Sequence, residues 1–166
     1  MQHIPERAVL LDIGCHEGQL LKKVSKKILK GTGVDPLCST KTLAQNISII
    51  NGRFPEALPN GNIFSCITVL AVFEHIPPAM QQNFLKHCYS ALENGGLLIL
   101  TIPGKKVDSI LQTLKRYKLI SGMSLEEHHG YDPFNTLPLG AKAGFRLVLF
   151  EQFEMGYNNL FVFLKP

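Results

Sequence analysis

Short apolar runs alternate along the chain with longer segments of helical spacing. Residues 8–13 form a continuous apolar run broken only by Asp12 and halted at Gly14, the pattern of a parallel strand buried on both faces. A helix is expected over 19–29. Residues 31–35 give a second strand, stopped by Pro36 because proline cannot continue a ladder. Residues 40–46 read as a short helix, and Ile47, Ile49 and Ile50 favour a third, buried strand over 46–51. The run 63–72 is the fourth strand. Pro78 opens a helix to Leu92, in which Met80, Phe84, Leu85, Cys88 and Leu92 recur at three- and four-residue spacing. Asn94, Gly95 and Gly96 stop it, and 97–102 forms the fifth strand. An amphipathic helix over 107–119, a polar loop over 121–136 and a short helix over 137–143 follow. Strands at 146–153 and 159–165 are separated by so short a link that they pair antiparallel. This cadence predicts an α/β fold: a doubly wound, mostly parallel seven-stranded sheet with helices on both sides and a C-terminal antiparallel strand.

Composition narrows the class. The 166 residues suffice for one core, and the 45% hydrophobic and 18% charged content excludes a disordered chain, so one domain over 1–166 is expected. The longest apolar run, 63–73, falls well short of the ~20 residues of a membrane helix, and the N-terminus lacks the basic and apolar regions of a secretory signal. A cytoplasmic protein without a membrane partner is expected. Cys15, Cys38, Cys66 and Cys88 form no Cys-x-x-Cys pair and suit small buried thiols. The net charge of +4 includes Lys22, Lys23, Lys26, Lys27 and Lys30 on one expected helix. A solvated face explains them; RNA binding would call for interleaved aromatics, which are missing.

Ligands of doubly wound sheets bind beyond the carboxyl ends of the strands, at the switch point beside the first strand. The loop there reads Asp12-Ile13-Gly14-Cys15-His16-Glu17-Gly18. Small residues where strand turns into helix would expose backbone amides to a carboxylate or phosphate. A dinucleotide loop needs glycines at the first, third and sixth positions, but from Gly14 the third is His16 and the sixth Gln19. A triphosphate-cradling loop needs Gly-Lys-Ser or Gly-Lys-Thr, and neither occurs.

With these residues the sequence resembles the class I, seven-stranded S-adenosylmethionine-dependent methyltransferases, especially their small type 11 group. Five segments carry the resemblance in order. They are the acidic residue and alternating glycines at Asp12, Gly14, His16 and Gly18; Asp35 at the end of strand two; Val72-Phe73-Glu74-His75-Ile76 after strand four; Leu92-Glu93-Asn94-Gly95-Gly96; and Ala143-Gly144-Phe145. The resemblance implies S-adenosylmethionine as cofactor. It places Asp12, Gly14, Cys15, His16 and Gly18 around the methionine moiety and Asp35 with Pro36 at the ribose; Arg53, Phe54 and Leu70 are the remaining candidates, with Phe54 against adenine. A carboxylate suits two ribose hydroxyls because it only accepts hydrogen bonds.

The resemblance also suggests Glu74, His75 and His129 for the acceptor side, with His128, Tyr131 and Phe134 in a lid. Simple strand capping at Glu74 and His75, and a plain surface loop at the histidines, explain the same residues equally well. No metal is expected, because the extra glutamate of a metal-dependent RNA methyltransferase group falls at Ala71. S-Adenosylmethionine carries an activated methyl group, so the protein mainly positions a nucleophile; an oxygen acceptor also needs a base, for which His129 or His75 is suited. The expected activity is methyl transfer to a small-molecule acceptor. Two alternatives stand beside it: an RNA methyltransferase, and a degenerate cofactor-binding or scaffold domain, suggested by His16 at the middle glycine position. Acceptor identity and oligomeric state are left open.

Overall fold

The computed structural model describes residues 2–59, 61–104 and 131–166. Eight strands form one sheet: β1 (Val9–Ile13), β2 (Lys30–Asp35), β3 (Lys41–Ala44), β4 (Ile47–Asn51), β5 (Phe64–Leu70), β6 (Leu92–Pro103), β7 (Arg146–Phe153) and β8 (Asn158–Leu164). Their order is β3-β4-β2-β1-β5-β6-β8-β7. The pairs β4/β2, β2/β1, β1/β5 and β5/β6 are parallel, and β3, β8 and β7 add antiparallel pairs. The chain runs outward from β1 to β4 and returns to β5 on the other side, which makes the carboxyl ends of β1, β2 and β5 the switch point. This is the expected doubly wound sheet with one strand more than the pattern suggested.

Alternation along the central strands builds two cores. Leu11 and Ile13, Ile67 and Val69, Leu98 and Leu100, and Phe161 and Phe163 face one side, with Leu85 and Cys88 of α2 (Pro78–Ala91). Leu10, Cys66, Ile99 and Val162 face the other, with Leu21 and Val24 of α1 (Gln19–Val24). Burial on both faces explains why these strands read as unbroken apolar runs. The third helix, α3 (Thr136–Lys142), shares the α2 side, where Gly140 lies so close to Phe163 that an added Cβ would come within 2.7 Å of its ring.

Three elements differ from the sequence expectation, each for a tertiary reason. The segment 40–46, expected as a helix, is strand β3, turned back onto β4 through Gln45 and Asn46. A helix of that length has little stability alone, whereas the hairpin lays Leu43 over Gly18. Helix α1 ends at Val24 and not near Leu29, since Asn46 reaches across to donate its amide to Ser25 O (3.0 Å) and Ile28 O (3.2 Å). Lysines 22 and 23 therefore lie on α1, but Lys26 and Lys27 follow it and Lys30 opens β2, so the five do not share one helix. Finally, α2 stops at Ala91: Lys165 Nζ caps its end at Tyr89 O (2.9 Å) and Leu92 O (2.6 Å), and residues 92–96 are drawn into β6. All four cysteines are buried thiols. The expected helix 107–119 lies outside the described residues, as does most of the loop 121–136. No helix among the described residues is long and apolar enough to cross a membrane.

Candidate active site

The bend after β1 uses a left-handed backbone at alternate residues: Gly14 (φ 75°), His16 (φ 46°) and Gly18 (φ 70°). Glycine is required at the outer two. A Cβ on Gly14 would stand 2.3 Å from Val72 Cγ2, and one on Gly18 2.6 Å from Leu43 Cδ1. His16 is exposed, and histidine tolerates this region better than most residues.

The loop is not an open cradle of amides, as its sequence had suggested. Gly14 N–H donates to Val34 O (2.9 Å), Gly18 N–H to Cys15 O (2.8 Å) and His16 N–H to the Asp35 carboxylate (2.9 Å). Strand β2 runs parallel beside β1, and its Val34 carbonyl and Asp35 carboxylate absorb the Gly14 and His16 donors, while Gly18 is satisfied within the bend. What the bend supplies is a close backbone surface.

Asp35 ends β2 and is 7% exposed. Its second oxygen accepts Leu37 N–H at 2.8 Å, so each oxygen holds one backbone donor and keeps a lone pair for another. Asn51, the β4 partner of Asp35, donates to Pro36 O (3.1 Å) and Cys38 O and so braces the turn that presents the carboxylate. Leu37 stands 87% exposed beside it. Neither Asn51 nor Leu37 matched a motif; their roles come from a register that a single sequence does not display.

Asp12 lies beneath the bend at 4% exposure, paired between Gly33 and Thr68. Burial pushes its carboxyl up to about 6, against the lowering effect of the Thr68 hydroxyl, which donates to it at 2.7 Å; Asp35 adds repulsion. Cys15 is buried against Gly33, and burial pushes its thiol up to about 12. Pro36 and Arg53 are exposed, and Leu70 is half-buried at the tip of β5. Phe54 is half-buried, its ring edge-on to Phe84 of α2 at 5.4 Å and to His87 at 6.5 Å.

At the end of β5 the chain turns sharply through Ala71 (φ 53°), whose N–H is shared by Thr101 O (3.0 Å) and Thr101 Oγ1 (3.1 Å). This sends Val72 under Gly14 and leads into a 3-10 turn, Phe73–His75. Glu74 is 2% exposed, and its carboxylate lies 4.0 Å from Nε2 of the half-exposed His75. Tyr131 packs edge-on to Phe73 at 5.7 Å and bonds Thr136 Oγ1 at 2.9 Å; burial pushes its phenol up to about 12. Phe134 is half-exposed. His128 and His129 lie outside the described residues.

A family model described as a methyltransferase domain matches residues 2–149. The chain belongs to this methyltransferase domain family. No curated protein matches it in sequence. Among solved structures, the methyltransferase domain is similar to the magnesium protoporphyrin IX methyltransferase of Synechocystis PCC 6803, a structure with bound S-adenosylhomocysteine (TM-score 0.70, 14% identity, 99% of this chain and 77% of that one). It is also similar to the N-methyltransferase NodS of Bradyrhizobium japonicum WM9 (TM-score 0.66, 16% identity, 97% and 88%). A chain from a Haloferax volcanii complex between a methyltransferase and the Trm112 methyltransferase activator matches at TM-score 0.73 and 12% identity, over 99% and 85%. At such identities the likeness is one of fold.

Proposed function

We propose that the methyltransferase domain binds S-adenosylmethionine in the crevice at the ends of β1, β2 and β5 and transfers its methyl group to a small-molecule acceptor. The observation that carries this reading is the Asp35 carboxylate locked against the glycine bend by His16 N–H, with one acceptor lone pair left on each oxygen. In this reading Asp35 receives the ribose hydroxyls, Gly14 and Gly18 let the methionine moiety approach the backbone, and Leu37 and Phe54 flank the adenine. Asp12, bonded to Thr68 beneath the bend, braces it from below, and the His16 ring is exposed.

When bound, the cofactor supplies a sulfonium methyl group that needs no further activation. An acceptor held in line with that methyl group would take it through a nucleophilic lone pair and would lose its own proton to a base or to water. His75, on the turn after β5, is the residue assigned to that proton, with Glu74 setting the position of its ring. His129 remains a proposal of the sequence alone. Calorimetric titration with S-adenosylhomocysteine tests the reading: saturable one-to-one binding supports it, and no binding to the folded wild-type protein refutes it. His75→Ala is expected to lower labelled methyl transfer while leaving that binding unchanged.

A further inference from the structure

The segment 71–76, between β5 and α2, carries Glu74 and His75 and is under strain. Its internal bonds run from His75 N–H to Val72 O (3.0 Å) and from Ile76 N–H to Phe73 O (3.1 Å). A single 3-10 turn has few such bonds and their geometry is poor, so its direction depends on what its two ends are tied to. The entry is costly, because Ala71 is left-handed (φ 53°) although it carries a Cβ. Strain of this kind persists only where the surroundings hold it in place.

Each end is held by a polar side chain from a neighbouring element. At the entry, Thr101 of β6, the register partner of Leu70, receives the Ala71 N–H on both its carbonyl (3.0 Å) and its hydroxyl Oγ1 (3.1 Å). The carbonyl would be present with any residue at this position; the hydroxyl is what the sequence adds. At the exit, Gln81 of α2 donates its side-chain amide to Ile76 O at 3.0 Å. Gln81 is 3% exposed and shares a helix face with the fully buried Leu85 and Cys88. Packing alone would favour leucine or methionine there, since burial of an amide is unfavourable unless a hydrogen bond offsets it.

The two ends bear on different parts of the site. Val72, immediately after Ala71, packs under Gly14, and His75 lies further on with its Nε2 4.0 Å from the Glu74 carboxylate. The entry therefore sets both the bend that the cofactor would meet and the direction of the histidine. The exit, next to His75 and remote from Val72 in the turn, bears on the histidine.

We propose that Thr101 and Gln81 are positioning residues for His75, gripping the two ends of its turn so that the imidazole is held at the crevice beside β5. The assignment of a proton to His75 rests on the proposed function above; the coupling of Thr101 and Gln81 to its ring does not.

Ring NMR of the full chain labelled at histidine, with His75→Ala supplying the assignment, tests this in Thr101→Val and Gln81→Met. Each variant keeps the size of the side chain and removes its polar group. In both, the His75 ring signal is expected to move or split, while that of His3, near the N-terminus, stays in place. S-Adenosylhomocysteine affinity should fall roughly three- to tenfold in Thr101→Val, the loss of one hydrogen bond, and stay within about twofold in Gln81→Met. Thr101→Ser, which keeps the hydroxyl, should restore both the signal and the affinity. If one variant fails to fold, the other, at the opposite end of the turn, decides. An unmoved His75 signal, even with a lowered urea midpoint, would reduce the two residues to ordinary stabilising contacts and overturn the proposal. So would a Thr101→Ser variant that behaves like Thr101→Val. Failure of S-adenosylhomocysteine to bind the wild-type protein would instead remove the methyl-transfer reading and leave the ring signals as the test of the grip on His75.

Discussion

Asp35 and His16, 19 positions apart, are joined by a 2.9 Å hydrogen bond from the backbone N–H of one to the carboxylate of the other. The bond couples the two loops that a cofactor would bridge, so the residue offered to the ribose also sets the shape of the bend offered to the amino-acid moiety. Asp35→Asn keeps the size but replaces one acceptor oxygen with a donor that would face an N–H. Hydrogen bonds to a charged partner contribute about 1.5–3 kcal/mol, so S-adenosylhomocysteine affinity is expected to fall roughly 10- to 100-fold by calorimetry. An affinity within twofold of wild type would contradict the assignment.

The contact of Gly14 with Val72 predicts a rescue. Gly14→Ala places a methyl group 2.3 Å from Val72 Cγ2 on a backbone at φ 75°, and both effects oppose folding of the bend. Loss of cofactor binding and a destabilisation of about 2 kcal/mol are expected from the overlap and the left-handed alanine together. Val72→Ala in the same chain removes the overlap but not the backbone strain, so it should recover part of the stability in chemical denaturation. A double variant no better than the single one would show that strain alone governs the position.

Asp12 makes stability depend on pH. Its folded-state carboxyl is raised from the ordinary 3.8 to about 6, so the folded protein binds the proton more tightly than the unfolded chain. Its contribution is therefore fully present below pH 3.8 and is lost as pH rises through 6, up to about 3 kcal/mol in all. Asp12→Asn can still accept from the Thr68 hydroxyl and has no charge to bury. The variant should be more stable than wild type at pH 7.5 and close to it near pH 4, as read by urea midpoints. Equal midpoints at pH 7.5 would mean that the buried carboxylate is better solvated than its surroundings suggest.

His16→Gly restores the alternating glycines and is expected to change little. Relief of the left-handed histidine and the added freedom of glycine in the unfolded chain oppose each other, leaving stability within about 1 kcal/mol. Since the imidazole is exposed, S-adenosylhomocysteine affinity should stay within about threefold, which corresponds to ~0.7 kcal/mol. A large gain in affinity would reveal that the ring intrudes on the crevice.

The sheet and the bend were legible in the sequence because their signals are local. Buried strands show as apolar runs, Gly14 and Gly18 mark left-handed turns, and Asp35-Pro36 ends a strand wherever it falls. What stayed hidden depends on partners distant in the chain. Segment 41–44 is a strand because Leu43 covers Gly18, and residues 92–96 extend β6 because the chain end at Lys165 returns to cap α2. Asn51 and Thr101 help hold the candidate site together, yet neither stands in a recognisable motif, and Val72, which does, gains its contact with Gly14 only through the fold.

The irregular registers at both margins of the sheet bear on how copies of the protein coexist at high concentration. Strand β3 is four residues long and slips between Thr42 and Ala44, and β7 slips between Leu147 and Leu149. An even, flat margin would invite a neighbour to dock and continue the ladder into a fibre, whereas a slipped one offers its donors and acceptors out of step. Both edge strands of the sheet thus carry an irregular register, an obstacle to continuing the ladder that is built into the backbone and not into surface charge.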